Sequence, residues 1–165
     1  MTLGDITPAS TVFIDANVFI YHFLGQSRDC SALLDRVEAR DVRGCTGRTT
    51  LLEVAHRLMI LEAIEQGLGA GANPAARLAR KPDLVRRLSK YHFAVMKISQ
   101  IGIEDLHLPP DFMTKSQEYR QTYGLLVNDS LVPLYMHEAG VPVLASADPA
   151  FDRIPWIRRA APSDV

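Results

Sequence analysis

The sequence has no excess of charge of either sign, since eighteen Lys and Arg residues stand against nineteen Asp and Glu and the formal net charge is -1. A nucleic acid would therefore have to be attracted by a local basic patch, because the overall field is nearly neutral. Cysteine is also scarce. Cys30 and Cys45 form no CxxC pair and no zinc-type spacing, which predicts two buried thiols in a reducing cytoplasm.

Long apolar runs are missing as well. No stretch reaches the roughly 20 apolar residues that span a bilayer, and the first ten residues lack the positive start of a signal peptide. We therefore expect a cytoplasmic protein with no membrane partner. The GxSxG, Walker A and GxGxxG motifs are absent too, so serine hydrolase, P-loop nucleotidase and dinucleotide-binding functions lose their main support.

The length of 165 residues suits one domain, and a composition of 47% hydrophobic and 22% charged residues is typical of a protein with a packed core. Short β-branched runs alternate with helical patterns along the chain. This alternation predicts an α/β fold of three layers, α/β/α, with a central and mainly parallel sheet. The predicted strands are residues 11–14, 42–46, 103–108, 141–145 and 156–157; the predicted helices are residues 29–40, 49–66, 111–123 and 128–140.

A helical and basic excursion around residues 67–100 interrupts this alternation. Three Gly residues and an Asn-Pro step predict a loop at 67–74. After Pro82, apolar residues at spacings of three and four predict one long helix with an apolar seam. The seam could pack in the core or form an interface between two copies of the chain, and it consists of Leu84, Leu88, Tyr91, Val95 and Ile98.

Four acidic residues stand at predicted turns or helix starts: Asp15, Glu53, Asp129 and Asp148. Each also has a structural explanation. Asp15 can cap the helix after the first strand, Glu53 can complete a capping box with Thr50, Asn128 or Asp129 can cap a later helix, and Asp148 precedes a proline. Asp15 and Asp148 both follow predicted parallel strands, whose carboxyl ends meet at the switch in strand order. Clustered carboxylates repel one another unless a divalent cation lies between them.

The motifs around these acids resemble those of a PIN domain. They are Asp15-Ala-Asn17 after the first strand, Thr49-Thr50-Leu-Leu-Glu53 opening a long helix, Asn128-Asp129-Ser130 opening a later one, and Leu144-Ala-Ser146-Ala-Asp148-Pro-Ala-Phe151 near the end. The resemblance runs from about residue 12 to residue 156, and the length is similar to that of VapC-type toxins of bacterial and archaeal toxin–antitoxin pairs. The Gly-rich segment at 67–74 and the basic stretch after it look longer than in the smallest members.

The resemblance implies an endoribonuclease that depends on Mg²⁺ or Mn²⁺, with a cognate antitoxin as partner and a homodimer as the expected assembly. It maps catalysis and metal binding onto the four acids, and Asn17 and Ser146 onto the supporting polar positions. Carboxylate oxygens are the ligands that such cations prefer. We expect Asp15 and Asp129 to bind the metal directly, Asp148 directly or through water, and Glu53 to orient water or hold a second ion.

Two other functions remain open at this point. The first is a binding module that kept the fold and lost the activity. The second is another metal-dependent phosphoesterase, although a phosphatase with a covalent aspartyl intermediate is disfavoured because position 17 is Asn where such enzymes need a second Asp. The five histidines are scattered without metal-ligand spacing, which is typical of ordinary core or surface histidines.

The basic stretch of the excursion is a candidate RNA-binding surface. It contains Arg77, Arg80, Lys81, Arg86, Arg87 and Lys90, opposed by Asp83 alone. The alternative is a solvated helix face, which most charge runs are. In that case the RNA path would follow a second set of arginines: Arg48, Arg153, Arg158 and Arg159.

Overall fold

A computed structural model describes all 165 residues. Its centre is a five-stranded sheet in which each neighbouring pair of strands is parallel. The strands are β1 (Thr11–Ile14), β2 (Arg43–Gly47), β3 (Glu104–Leu106), β4 (Val143–Ala145) and β5 (Arg158–Ala160). Their order across the sheet is β3-β2-β1-β4-β5. The four earlier predicted strands are confirmed, whereas β5 begins just after the predicted residues 156–157.

Eight α-helices connect the strands. They are α1 (Ala16–Phe23), α2 (Arg28–Glu38), α3 (Arg48–Ala63), α4 (Pro74–Ala79), α5 (Pro82–Val85), α6 (Lys90–Gln100), α7 (Phe112–Tyr123) and α8 (Leu131–Ala139). Short 3₁₀ turns lie at Leu3–Asp5 and Pro149–Arg153, and a π-helical turn at Ile64–Leu68 extends α3. None of these helices is both long enough and apolar enough to cross a membrane.

The side chains of β1 alternate between two hydrophobic cores. Val12 and Ile14 pack on one face of the sheet, where α1, α2, α3 and α6 cover it. Phe13 packs on the other face, under α7 and α8. Because both faces of a parallel sheet are buried, the three residues of β1 after Thr11 are all apolar and buried. The predicted three-layer α/β/α fold is confirmed. Cys30 and Cys45 are buried, one in each core, and neither is in a disulfide.

The strand order reverses between β1 and β4. From β1 the chain runs outward through β2 to β3, and β4 then starts the other half of the sheet beside β1. Ile14 pairs with Ala145, and the N–H of Asp15 donates a hydrogen bond of 3.0 Å to the carbonyl of Ala145. The residues that follow β1 and β4 therefore meet at the carboxyl edge of the sheet, where ligands of such folds bind.

The predicted capping box at the start of α3 is wrong. The helix begins at Arg48, two residues before Thr50, and no side chain of the α3 N-terminus caps it. The hydroxyl of Tyr135 instead accepts hydrogen bonds of 3.3 Å from both the N–H and the hydroxyl of Thr49. Gly47 makes this approach feasible, because a Cβ at that position would lie 2.3 Å from the Tyr135 ring. Glu53 is thus free of any capping role.

The single long helix predicted after Pro82 is also wrong, because α5 ends at Val85 and α6 starts only at Lys90. The apolar seam divides between two clusters. Leu84 and Leu88 are buried in a small cluster beside the C-terminal end of α3, and Ile98 is buried in the main core. The seam is therefore core, the first alternative given for it, and is not available as an interface between copies.

Glu62 explains how a new helix can start at Lys90. Its side chain is 4% exposed, and its carboxylate accepts hydrogen bonds from the N–H groups of Ser89 and Tyr91, at 2.9 and 3.0 Å. Burial acts to raise the pKa of Glu62, but these backbone donors outweigh it and hold the pKa below its usual value. A carboxylate from α3 thus satisfies N–H groups that the first turn of α6 leaves without intrahelical partners.

We expect Glu62→Ala to lower the free energy of unfolding by about 2 kcal/mol, because it removes a cap and leaves two partly buried N–H groups without partners. Urea unfolding at pH 7 measures the loss. Glu65→Ala is the matched control, since Glu65 is exposed and its 3.6 Å ion pair with Lys90 contributes under about 1 kcal/mol.

The difference between wild type and Glu62→Ala should shrink as the pH falls below 4.5, the ordinary pKa of a glutamate. A carboxylate with a lowered folded-state pKa stabilises the protein only while it is ionised. If Glu62→Ala and Glu65→Ala lowered the free energy of unfolding equally, the Glu62 carboxylate would not be what stabilises the excursion around residues 67–100.

Candidate active site

A cleft of about 380 Å³ opens at the carboxyl edge of the sheet, at the point where the strand order reverses. The four predicted acids all line it. Asp15 follows β1, Asp148 lies beyond β4, Glu53 is in the second turn of α3, and Asp129 is in the turn before α8. Residues up to 133 positions apart in sequence, Asp15 and Asp148, are thus brought to one cavity by the topology of the sheet.

Asp15 is the most deeply placed of the four, with 8% of its surface exposed. One carboxylate oxygen accepts a hydrogen bond of 2.7 Å from the N–H of Ala16, which makes Asp15 the N-cap of α1. The other oxygen accepts hydrogen bonds of 2.6 Å from both Asn17 and Ser146. Asp15 therefore has the capping role considered for it and also points its carboxylate at the cleft.

Asn17 and Ser146 join the ends of the two central strands. The Asn17 amide donates to the hydroxyl of Ser146 at 3.1 Å, and its carbonyl oxygen accepts from the N–H of Ala147 at 3.0 Å. The Ser146 hydroxyl also accepts a hydrogen bond of 3.0 Å from the N–H of Asp148. An aspartate at position 17 could not donate to Asp15, so the amide at this position holds the carboxylate without adding another charge.

The carboxylates of the cleft hinder one another's ionisation. Burial raises the pKa of Asp15 to about 6, and the charges of Glu53 and Asp129 add to that effect against its hydrogen bonds. Burial also raises the pKa of Glu53, with a further contribution from Asp129, and the pKa of Asp129, with a contribution from Asp148. The cleft thus concentrates negative charge that nearby protein groups do not fully compensate.

Glu53 and Asp129 do not cap a helix. The N-cap of α8 is Ser130, with no capping hydrogen bond from its side chain, so the predicted cap at Asn128 or Asp129 is wrong. Glu53 makes no hydrogen bond through its carboxylate, and it is exposed to the cleft. Asp148 does cap the Pro149–Arg153 turn, through a 2.8 Å hydrogen bond from the N–H of Ala150.

Arg120 fixes the turn that carries Asp129, and no motif or spacing in the sequence indicates this role. Its guanidinium donates to the hydroxyls of Ser116 and Ser130, at 2.8 and 3.0 Å, and to the carbonyl of Met113 at 3.0 Å. Ser130 is fully buried and in turn donates to the carbonyl of Val127 at 2.7 Å. A charged side chain of α7 therefore sets the position of the residue that follows Asp129.

The donor set of the cleft suits a hard divalent cation. It includes the carboxylate oxygens of the four acids and no cysteine, and His56 also lines the cleft. The pKa values of Asp15 and Asp129 are raised by burial and, in addition, by repulsion from other carboxylates, which a cation would relieve. No three carboxylate, histidine or cysteine side chains converge closely enough to enclose an ion. Mg²⁺ does not require such enclosure, since it commonly keeps several waters and uses one or two protein carboxylates.

The predicted basic stretch lies away from this cleft. The helices α4 and α5 pack through Leu78 and Leu84 on the C-terminal end of α3, whereas Glu53 is near its start. Arg77 donates to the carbonyls of Leu68 and Gly69. The remaining residues divide into two groups: Arg86 and Lys90 form ion pairs with Asp83 and Glu65, and Arg80, Lys81 and Arg87 are exposed without an ion pair.

A family model described as the PIN domain matches residues 12–157. Among solved structures, the chain is similar to a chain of VapBC2 from Rickettsia felis, in a crystal structure bound to a DNA fragment from their promoter. The TM-score is 0.56 at 11% sequence identity, and the alignment covers 93% of this chain and 99% of the other. No curated protein sequence matches the chain.

We expect Asp129→Asn to stabilise the fold in metal-free buffer at pH 7, because it removes one of the charges that repel Asp15. The gain should not exceed about 1 kcal/mol, since Asp129 is partly solvated. Asp15→Asn should raise the free energy of unfolding by less than Asp129→Asn does, because the amide nitrogen of the new asparagine would face the hydrogen-bond donors of Asn17 or Ala16. Thermal unfolding measures both, with the exposed Asp35→Asn as control.

The gain from Asp129→Asn should shrink as the pH falls through about 6, the pKa of Asp15. A carboxyl group with a raised folded-state pKa costs stability only when it ionises, so the repulsion disappears once Asp15 is protonated. If Asp129→Asn destabilised the protein or matched the Asp35 control at pH 7, the repulsion would not be a property of the cleft.

Proposed function

The chain belongs to the PIN domain family, whose members are generally nucleases, and we propose that it is a metal-dependent endoribonuclease and the toxin of a toxin–antitoxin pair. The observation that carries the proposal is the meeting of Asp15, Glu53, Asp129 and Asp148 in one cleft at the switch in strand order. A phosphodiester resists attack because its own charge repels a nucleophile.

A divalent cation, Mg²⁺ or Mn²⁺, would relieve that repulsion and lower the pKa of water bound to it. Asp15 and Asp129 would hold it, with Asp148 contributing directly or through water. The hydrogen bonds from Ala16, Asn17 and Ser146 fix the carboxylate of Asp15 in one orientation. That orientation exists before any ligand arrives, so binding does not have to order the side chain.

Glu53 is suited to a different task. Its carboxylate has no hydrogen-bond partner and is more exposed than that of Asp15. Burial and, in addition, Asp129 raise its pKa, which makes the carboxylate a stronger proton acceptor. We assign to Glu53 the orientation of the attacking water, with an oxygen of its carboxylate accepting the proton. A role in holding a second ion is the alternative.

The choice of RNA over DNA, and of an antitoxin as partner, rests on the resemblance to VapC-type toxins together with the similarity in fold to a chain of VapBC2. The protein would then act on RNA in the cytoplasm, and copurification with the product of a neighbouring gene would identify the antitoxin. The homodimer is also part of the proposal, on a surface other than the buried apolar seam; light scattering would detect it.

We expect the purified full-length chain to cleave single-stranded RNA in the presence of Mg²⁺ or Mn²⁺, and a chelator to stop the reaction. Asp129→Asn should reduce the rate by at least about 100-fold, because loss of a ligand costs more than loss of the groups around it. Asp35→Asn is the control and should keep wild-type activity. Gel analysis of a labelled oligonucleotide gives the rates.

The result also separates the alternatives. RNA binding without metal-dependent cleavage would identify an inactive binding module. Cleavage of small phosphate esters but not of RNA would favour another metal-dependent phosphoesterase. Wild-type turnover in Asp129→Asn would exclude the assigned site.

A further inference from the structure

Arg57 is the only arginine or lysine among the residues that line the carboxylate cleft. It follows Glu53 by four residues in α3, so the two side chains lie on the same face of the helix. Their separation along the helix axis is about 6 Å, at a rise of about 1.5 Å per residue. Arg57 is exposed and takes part in no hydrogen bond or ion pair.

The charge of Arg57 acts on the cleft, since Arg57 lowers the pKa of Glu53 against burial and Asp129, which raise it. The guanidinium nevertheless stays outside ion-pair distance of that carboxylate. An arginine that only supported α3 would be expected to pair with a glutamate four residues earlier, because this spacing brings the two side chains together. The N–H groups of the Arg57 guanidinium instead remain available to a ligand in the cleft.

Arginines near the same edge are engaged with the protein itself. Arg48 donates to Asp105 at 2.7 Å and contacts His107. Arg159 forms a two-bond ion pair with Asp152, at 2.8 and 2.7 Å. Arg153 donates to backbone carbonyls, at 3.3 and 3.4 Å, and Arg120 holds the turn before α8. The available positive charge at the cleft is therefore that of Arg57.

A nucleic acid brings more than one phosphate to such a cleft. The phosphate to be cut would lie among the carboxylates, where a cation offsets its charge. The next phosphate along the strand has no such cation and meets the same negative field. A guanidinium can bind it with two parallel hydrogen bonds.

We propose that Arg57 binds the phosphate next to the one that is cut, and so is a substrate-binding residue of the cleft. This inference rests on the proposed ribonuclease function. Arg57 lies beyond Glu53 in the direction of the excursion, whose exposed Arg80, Lys81 and Arg87 have no ion pair. A strand that leaves the carboxylates past Arg57 would run along α3 toward these three residues.

Binding of a fluorescent single-stranded oligouridylate, measured by anisotropy at several salt concentrations, tests the inference. The full-length chain carries Asp129→Asn throughout, so that bound RNA is not cut. Three further changes are compared on that background: Arg57→Ala, Arg57→Lys and Arg40→Ala. Arg40 is the matched control, because it is exposed, has no ion pair and lies just before β2, at the amino ends of the strands. Thermal unfolding confirms that each variant is folded.

We expect Arg57→Ala to weaken binding and to reduce the slope of log affinity against log salt by about 0.7, the value for one phosphate on a single strand. Arg57→Lys should keep the slope, because the charge remains, and should lose part of the affinity, because the two-bond geometry is lost. Arg40→Ala should change neither. A purely electrostatic effect of Arg57 on Glu53 would leave the slope unchanged.

The outcomes separate the inference from the function on which it rests. If Arg57→Ala keeps the slope of its parent, the inference is overturned, whether or not the wild-type chain cuts RNA. If the chain binds RNA with the expected slope change but the wild type cleaves none with Mn²⁺, the assignment of Arg57 stands and the nuclease function fails. Absence of any RNA binding overturns the inference as well.

Discussion

Repulsion among carboxylates is the constraint on which the site depends. A parallel sheet that reverses its order between β1 and β4 brings the residues after both strands to the same place. In this chain those residues include Asp15 and Asp148, and α3 and the turn before α8 add Glu53 and Asp129. The raised pKa of Asp15, about 6, expresses the cost of holding a buried carboxylate among others. A bound divalent cation would remove this cost, and the free energy recovered would contribute to the affinity of the site for the cation.

The surrounding structure keeps these groups in place through polar contacts between distant segments. Asn17 and Ser146 tie the end of β1 to the end of β4. The hydroxyl of Tyr135, which packs against Gly47, accepts hydrogen bonds from the N–H and the hydroxyl of Thr49 in the first turn of α3. Arg120 holds the turn before α8. Each contact places one element that carries an acid. In each of these contacts, a buried hydrogen-bond donor left without its partner would lower the stability of the fold. The contacts therefore strongly specify where each acid-carrying element lies.

Much of the fold could be predicted from the sequence, because strands and helices leave local patterns. The β-branched run before Asp15 and the buried run before Ser146 identified β1 and β4, and parallel pairing then placed the acids together. Predictions from local patterns were wrong where a residue distant in sequence determines how a helix begins. The capping box predicted at Glu53 does not form, because the Tyr135 hydroxyl accepts the hydrogen bonds at the start of α3. The helix predicted after Pro82 is divided in two, because Glu62 caps a new helix that starts at Lys90. The contacts of Arg120 and the place of Arg57 in the cleft depend on tertiary neighbours and leave no periodic signal.

Calorimetric titration of Mn²⁺ into the metal-free protein at pH 7 tests most directly whether the carboxylates gather to hold a divalent cation. The account predicts saturable binding to the wild-type chain, accompanied by release of protons from the carboxyl groups with raised pKa values. Binding should be strongly weakened in Asp129→Asn and unchanged in Asp35→Asn. A wild-type chain that binds no Mn²⁺, or a binding isotherm that Asp129→Asn leaves intact, would contradict it.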